Sequence, residues 1–245
     1  MKRDAYPLLG LAMLLLSACR TDVLPPVVVQ DDDGAHVFMH TEIQQGNQSL
    51  SLGTTYHDAA NTAFRYTTVK FFLGRPTLID AAEDTLADLP GAYVLFDASD
   101  GGVHEIGRTR GYVHRIKFGL GVDHDANHAD PTLAMPPLND ASMHWGWNTA
   151  QGYKFFVIEG QYDQDGDGMP ETSFTYHCAT DPEYRVGEAV VDIDASDVNN
   201  VNIQMRLDMQ AVMNGLDIAA RPVVVAPDTL TDLLMDRLQA HLIHL

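Results

Sequence analysis

Thiols are almost missing from this 245-residue chain, which has two cysteines, Cys19 and Cys178. Cys19 closes an N-terminal leader, so Cys178 is the sole thiol expected in the mature protein. An internal disulfide is thereby excluded, even in a compartment that would permit one. A hydrophobic core must hold the fold, and residues 35–245 are enough chain to bury one as a single domain. Basic residues are also few: 15 Lys and Arg stand against 34 Asp and Glu, a formal net charge of −19. Such a surface repels phosphate backbones and excludes nucleic acid as a partner. The same field concentrates cations within about 8 Å of the surface. The spacing shows no Ser-His-Asp arrangement, no HExxH and no phosphate-binding loop, so a catalytic reading has little support. Tryptophan occurs twice, at Trp145 and Trp147, within one short stretch.

What is present begins with the leader. Lys2 and Arg3 precede "PLLGLAMLLL", an apolar run too short to span a bilayer, and "LSAC" follows. This is the order of a bacterial lipoprotein signal, with residues 1–18 removed and Cys19 lipidated. Arg20, in place of an aspartate, favours the outer membrane, with the domain facing the periplasm or the cell surface. Residues 19–34, rich in proline and acid and without a period, read as a flexible tether, leaving 35–245 as the folded domain. The only membrane contact expected is the lipid.

Within that domain, runs such as "FRYTTVKFFLG", "GYVHRIKFGLGV", "KFFVIEG" and "VNIQMRLDM" are rich in β-branched and aromatic residues and are bounded by turn formers. In the last, Val201, Ile203, Met205, Leu207 and Met209 alternate with polar residues, the mark of a half-buried strand. Eight or more such runs predict an all-β fold, an antiparallel β-sandwich. Helix is confined to a short stretch in "AAEDTLADL" and a C-terminal helix capped by Asp228, with Leu230, Leu234, Leu238 and Leu242 as its apolar stripe.

Several groups have metal-binding chemistry. His124 and His128 are four apart, a ligand spacing on a helix, but "DHDANHADP" reads as a loop. Asp163, Asp165 and Asp167 before Gly168 match the first half of a calcium loop, with Glu171 a partial substitute for the missing bidentate acid; the alternative is an acidic turn. Trp145 cannot ligate through its intact ring, because the indole nitrogen only donates. On composition alone both tryptophans belong to the core.

Taken together, "FMH", "LSLGTTY", "KFGLGVDHDANH", "MHWGWNTAQGYKFFVIEG" and "FTYHC" resemble the MbnP-like copper-binding proteins, periplasmic or lipid-anchored sandwiches associated with methanobactin and copper handling. The resemblance covers nearly all of the chain after residue 35. It implies one copper ion held by two imidazoles and a tryptophan opened to kynurenine by a partner di-haem peroxidase. Carried onto this sequence, the ligands are His40, His128 and Trp145, with Trp147 the fallback and His124, His144 and His177 as alternatives. Ring opening would free an aromatic amine with an available lone pair, and nitrogen donors suit copper. The protein would then be the substrate of an enzyme and not a catalyst. Two other readings stay open: a copper- or histidine-metal-dependent enzyme, and a calcium-stapled surface sandwich. Cys178 departs from the family pattern, where a glycine often follows two positions after the histidine; it reads as a buried apolar residue or a soft copper ligand.

Replacing Cys19 by serine should leave the leader uncleaved and the chain without lipid. Phase partitioning of cell extracts checks this, with the variant expected to lose the lipid-dependent shift into detergent.

Overall fold

The computed structural model describes residues 34–146 and 151–245. The leader, Cys19, the tether through residue 33 and Trp147 lie outside the described residues. In chain order the strands are β1 (Ala35–Gln45), β2 (Gln48–Ser49), β3 (Tyr56–His57), β4 (Ala63–Ile79), β5 (Thr85–Asp88), β6 (Tyr93–Asp97), β7 (Val103–Thr109) and β8 (Tyr112–Leu120). They continue with β9 (Lys154–Tyr162), β10 (Thr172–Ala179), β11 (Arg185–Asp194), β12 (Asn200–Asp208), β13 (Val223–Val224) and β14 (Leu242–His244). The helices are α1 (His124–Asn127), α2 (Met209–Val212) and α3 (Thr229–His241).

The strands form two sheets. A 5-stranded sheet runs β14-β12-β1-β2, with β7 also on β1; a 9-stranded sheet runs β11-β8-β4-β9-β10-β13, with β3, β5 and β6 on β4. Alternation decides what lies between them. In β12, Val201, Ile203, Met205 and Leu207 are buried while the residues between them face out. In β1, Ala35, Val37, Met39 and Thr41 point inward and His36, Phe38 and His40 outward. The facing surface of the larger sheet contributes Phe64, Phe71, Phe156, Ile158, Phe174 and Tyr176, and the two inner faces share one hydrophobic core.

Two pairings depart from an all-antiparallel arrangement. β1 lies parallel to β12, and β13 parallel to β10. A parallel pair needs a long crossover, and β1 and β12 have one, since most of the larger sheet is built from the chain between them.

Three local features bear on the sequence reading. "AAEDTLADL" is not helical: the Asp80 carboxylate accepts from the amides of Ala82 and Asp84, closing a turn, and Thr85–Asp88 pairs with β4 as β5. A side chain that satisfies nearby amides competes with the helix, and the open strand edge takes the rest. "DHDANHADP" is not wholly loop, since it contains the single turn α1, capped by the Asp123 carboxylate on the Asp125 amide. The C-terminal helix forms as expected. Asp228 and Thr231 make a reciprocal capping box, and Leu230, Leu234 and Leu238 are buried.

β9 is the spine of the larger sheet, paired on both sides by β4 and β10. Gly160 within it has no room for a side chain: an added Cβ would stand 2.2 Å from the Arg65 carbonyl oxygen and 2.4 Å from the Phe174 ring. G160A should therefore destabilise the domain by about 1–3 kcal/mol, the usual range for overpacking a core. Urea unfolding of the two proteins measures it.

Candidate metal centre

Strand register fixes the surroundings of Trp145. Across β4, β9 and β10, Val69, Ile158 and Tyr176 lie in line on the core side, so Lys70, Val157 and His177 lie in line on the outer face. Thr68, Glu159 and Thr175 are in line on that same outer face. The segment after α1 crosses back over this surface. His144 bridges Tyr153 in antiparallel fashion, and the Trp145 amide donates to the Gly152 carbonyl at 3.0 Å. Met143, His144 and Trp145 are all buried by this. Trp145 is therefore in a buried layer, as its composition predicts, but that layer lies outside the larger sheet and not between the two.

The Trp145 ring meets His177 edge to face, with centroids 5.4 Å apart, and the Lys154 ammonium sits 5.0 Å from the indole centroid. His177 is 7% exposed. Its Nε2 lies 2.7 Å from the Glu159 carboxylate, while Nδ1 is buried without a hydrogen-bond partner among the described residues. A carboxylate on one ring nitrogen fixes the tautomer and leaves the other nitrogen with its lone pair, the usual support of a metal-binding histidine. The hydrogen bond from His177 holds the Glu159 carboxyl below its ordinary value, against the opposing effect of burial. Burial pushes the Lys154 amine down, opposed by the charges of Glu159 and Asp140. His144 points to the other side of its strand, edge-on to Tyr153 at 5.0 Å, with Nε2 lacking a hydrogen-bond partner among the described residues. Burial first and the Lys154 charge second lower its pKa, favouring the neutral imidazole.

The remaining expected ligands occupy other neighbourhoods. His40 is on the outward side of β1, in the smaller sheet, near Glu42 and His104. His128 caps α1 beside His124, their rings 4.7 Å apart, and both face Asp181. Among the described residues, His124, His128 and Asp181 are one group of donors close enough to share an ion; Asp163, Asp165, Asp167 and Glu171 are the other. In the second group the Asp163 carboxylate already accepts from the Gly166 and Gly168 amides, each at 2.7 Å, and Glu171 accepts from Gln164. That is the acidic turn of the β9–β10 hairpin, built by its own amides. Cys178 faces the core opposite Phe156, and burial raises its pKa well above the ordinary value. It remains an apolar thiol, placed on the opposite side of the sheet from His177.

The pairing of Trp145 with His177 was the part that spacing hid. The two residues are 32 positions apart in sequence. Their meeting depends on strand register and on the segment that folds over the sheet. A sequence signal existed in the odd positions of "FTYHC", which turn His177 to the same face as Glu159 once β10 is aligned with β9.

Comparison with known proteins gives a consistent picture. The sequence model of the MbnP family matches residues 36–227. Among solved structures, MbnP from Methylosinus trichosporium is similar, at 16% identity and a TM-score of 0.53, over 78% of this chain and 81% of that one. At that identity the likeness is one of fold. A search of curated proteins finds no match.

The lowered Glu159 carboxyl makes a stability prediction. Because its folded value is depressed, its contribution is present above the ordinary value of 4.5 and is lost as pH falls through the folded value. E159Q should therefore be less stable than wild type at pH 7, with the gap closing as pH falls below the ordinary value of 4.5. Urea midpoints across that range check it, and a constant gap would contradict it.

Proposed function

Since the chain belongs to the MbnP family, we propose that it is a non-catalytic copper-binding protein of the bacterial envelope, serving acquisition, storage or delivery of the metal. Its copper ligands are the His177 imidazole and an amine derived from Trp145 by oxidation to kynurenine. Cys19 carries the lipid that tethers the domain. The observation that carries this reading is His177 itself, a buried imidazole with Glu159 on one nitrogen and no hydrogen-bond partner on the other among the described residues, in ring contact with a tryptophan.

The donor chemistry fits. Intact Trp145 offers only an N–H, whereas an opened ring offers an aromatic amine, and imidazole and amine nitrogens suit copper. The oxidation needs a partner and an oxidant: a di-haem peroxidase of the same compartment, reducing two equivalents of hydrogen peroxide to water. It adds two oxygen atoms as the indole C2–C3 bond breaks, and hydrolysis then releases C2 as formate and frees the amine. Each residue has a task. Glu159 holds the His177 tautomer and orientation. The backbone pairing of Trp145 with Gly152 fixes the ring over the sheet. The nearby Lys154 ammonium disfavours a second cation there until its charge is offset by Glu159 and Asp140. Copper, once bound, supplies a redox-active and transferable ion, and the protein holds it. His177 takes the place in this reading that the resemblance alone gave to His40 and His128.

Mass spectrometry of protein purified from its own host should find Trp145 with one carbon exchanged for oxygen, and copper at one equivalent. H177A should lose that copper, while H40A and H128A keep it. An unmodified Trp145 in copper-loaded protein would overturn the reading.

A further inference from the structure

We infer that His124, His128 and Asp181 form a second metal site, for a divalent ion of the zinc type, that requires no modified residue. His124 and His128 come from one helical turn and Asp181 from a distant part of the chain, and their donor atoms all lie within 4.8 Å of one another. His128 Nε2 is 2.9 Å and His124 Nε2 is 3.7 Å from the same oxygen, Asp181 Oδ2. Two ligands on one tetrahedral zinc stand about 3.4 Å apart, given metal–ligand bonds of about 2.0–2.2 Å. The observed separations straddle that figure, and a small rotation of the exposed His124 would equalise them.

The site is supported from below, which separates it from a chance meeting of surface groups. α1 places His124 and His128 one turn apart, and its buried face carries Asn127. The Asn127 side-chain oxygen accepts from the Tyr153 amide at 2.8 Å, fastening the turn to the strand that leads into β9. The amide nitrogen of Asn127 donates to Asp181 Oδ1 at 2.9 Å. One Asp181 oxygen is thus fixed from within the protein, and the other is presented to both imidazoles. Such fixing of a carboxylate by a neighbouring group orients it as a ligand. Asp181 itself follows Thr180, whose φ of 84° lies in the left-handed region where a threonine is strained. That backbone turns the chain so that Asp181 leaves the sheet towards α1.

Two imidazoles and one carboxylate select the class of ion. Calcium and magnesium take all-oxygen shells, whereas imidazole suits zinc, nickel and copper. Three protein ligands also leave one coordination position open to water, so an ion here is exchangeable. His124 is 71% exposed at its side chain, and the strongly acidic surface brings cations towards it. The site shares no ligand with Trp145 and His177. It would be a landing place at the surface, filled whether or not the tryptophan has been opened.

The test uses the mature protein made without a peroxidase, so that Trp145 is intact and the copper reading is not engaged. Titration with zinc chloride in a calorimeter should show one equivalent bound, unaffected by millimolar calcium. H124A, at an exposed position where folding is not at stake, should weaken zinc at least tenfold. D181N should do the same, while H57A, which removes an unrelated exposed imidazole, should not. The absence of zinc binding by the folded wild type would overturn the proposal, as would H124A binding with unchanged affinity. Failure to find kynurenine in host protein would leave this titration untouched, so the two readings fail separately.

Discussion

Everything around Trp145 depends on the two-residue period of β9. Phe156 and Ile158 must enter the core, and the pleat then commits Val157 and Glu159 to the other face. Pairing with β10 puts His177 on that face with them, and pairing with β4 adds Lys70 and Thr68. A one-residue slip would turn Glu159 and His177 into the sandwich, where an ion pair has no water to replace its desolvation. The packing of apolar side chains between the sheets is therefore also what positions a polar pair outside them.

A sheet face of this kind would ordinarily be wet. Here the chain between β8 and β9 returns across it and makes a second, thinner apolar layer from Met143, Trp145 and Val157, with His144 packed on Tyr153. Asn127 ties that layer down. It joins α1, the approach to β9 and Asp181 through two hydrogen bonds, and Gly152 beside it has no space for a Cβ, which would stand 2.1 Å from the Asn127 side-chain oxygen. One buried amide thus organises the ground beneath the His124–His128–Asp181 group and the backbone that carries Trp145.

The chemistry of the donors is divided between the two faces of one strand. In β10 the thiol of Cys178 points to the core and the imidazole of His177 away from it. Burial keeps the thiol protonated and apolar. The imidazole keeps one nitrogen engaged by Glu159 and the other without a hydrogen-bond partner among the described residues. Residues adjacent in sequence, both suited to copper by type, are separated by the direction of their side chains into one packed in the core and one paired with a carboxylate on the outer face.

Much of the fold was legible in the sequence because it rests on local pattern. Alternation from Val201 to Leu207, the capping aspartate of the last helix and Leu230, Leu234 and Leu238 behind it are short-range facts and appear in the structure as read, whereas Met209 opens α2, Leu242 opens β14 and β12 pairs parallel with β1. "AAEDTLADL" misled because helix propensity was weighed without the turn that Asp80 closes and the strand edge that receives β5. "DHDANHADP" misled in the opposite sense: its composition suits a loop, yet capping by Asp123 and the tertiary hydrogen bonds of Asn127 hold one helical turn, and His124 meets His128 after all. By itself the sequence determined the sandwich, the acidic composition and the presence of a tryptophan segment of the MbnP type. Which imidazole stands beside Trp145, and which aspartate joins the histidine pair, only the tertiary structure decided. Those contacts link residues far apart in the chain, and no local period carries the register that brings them together.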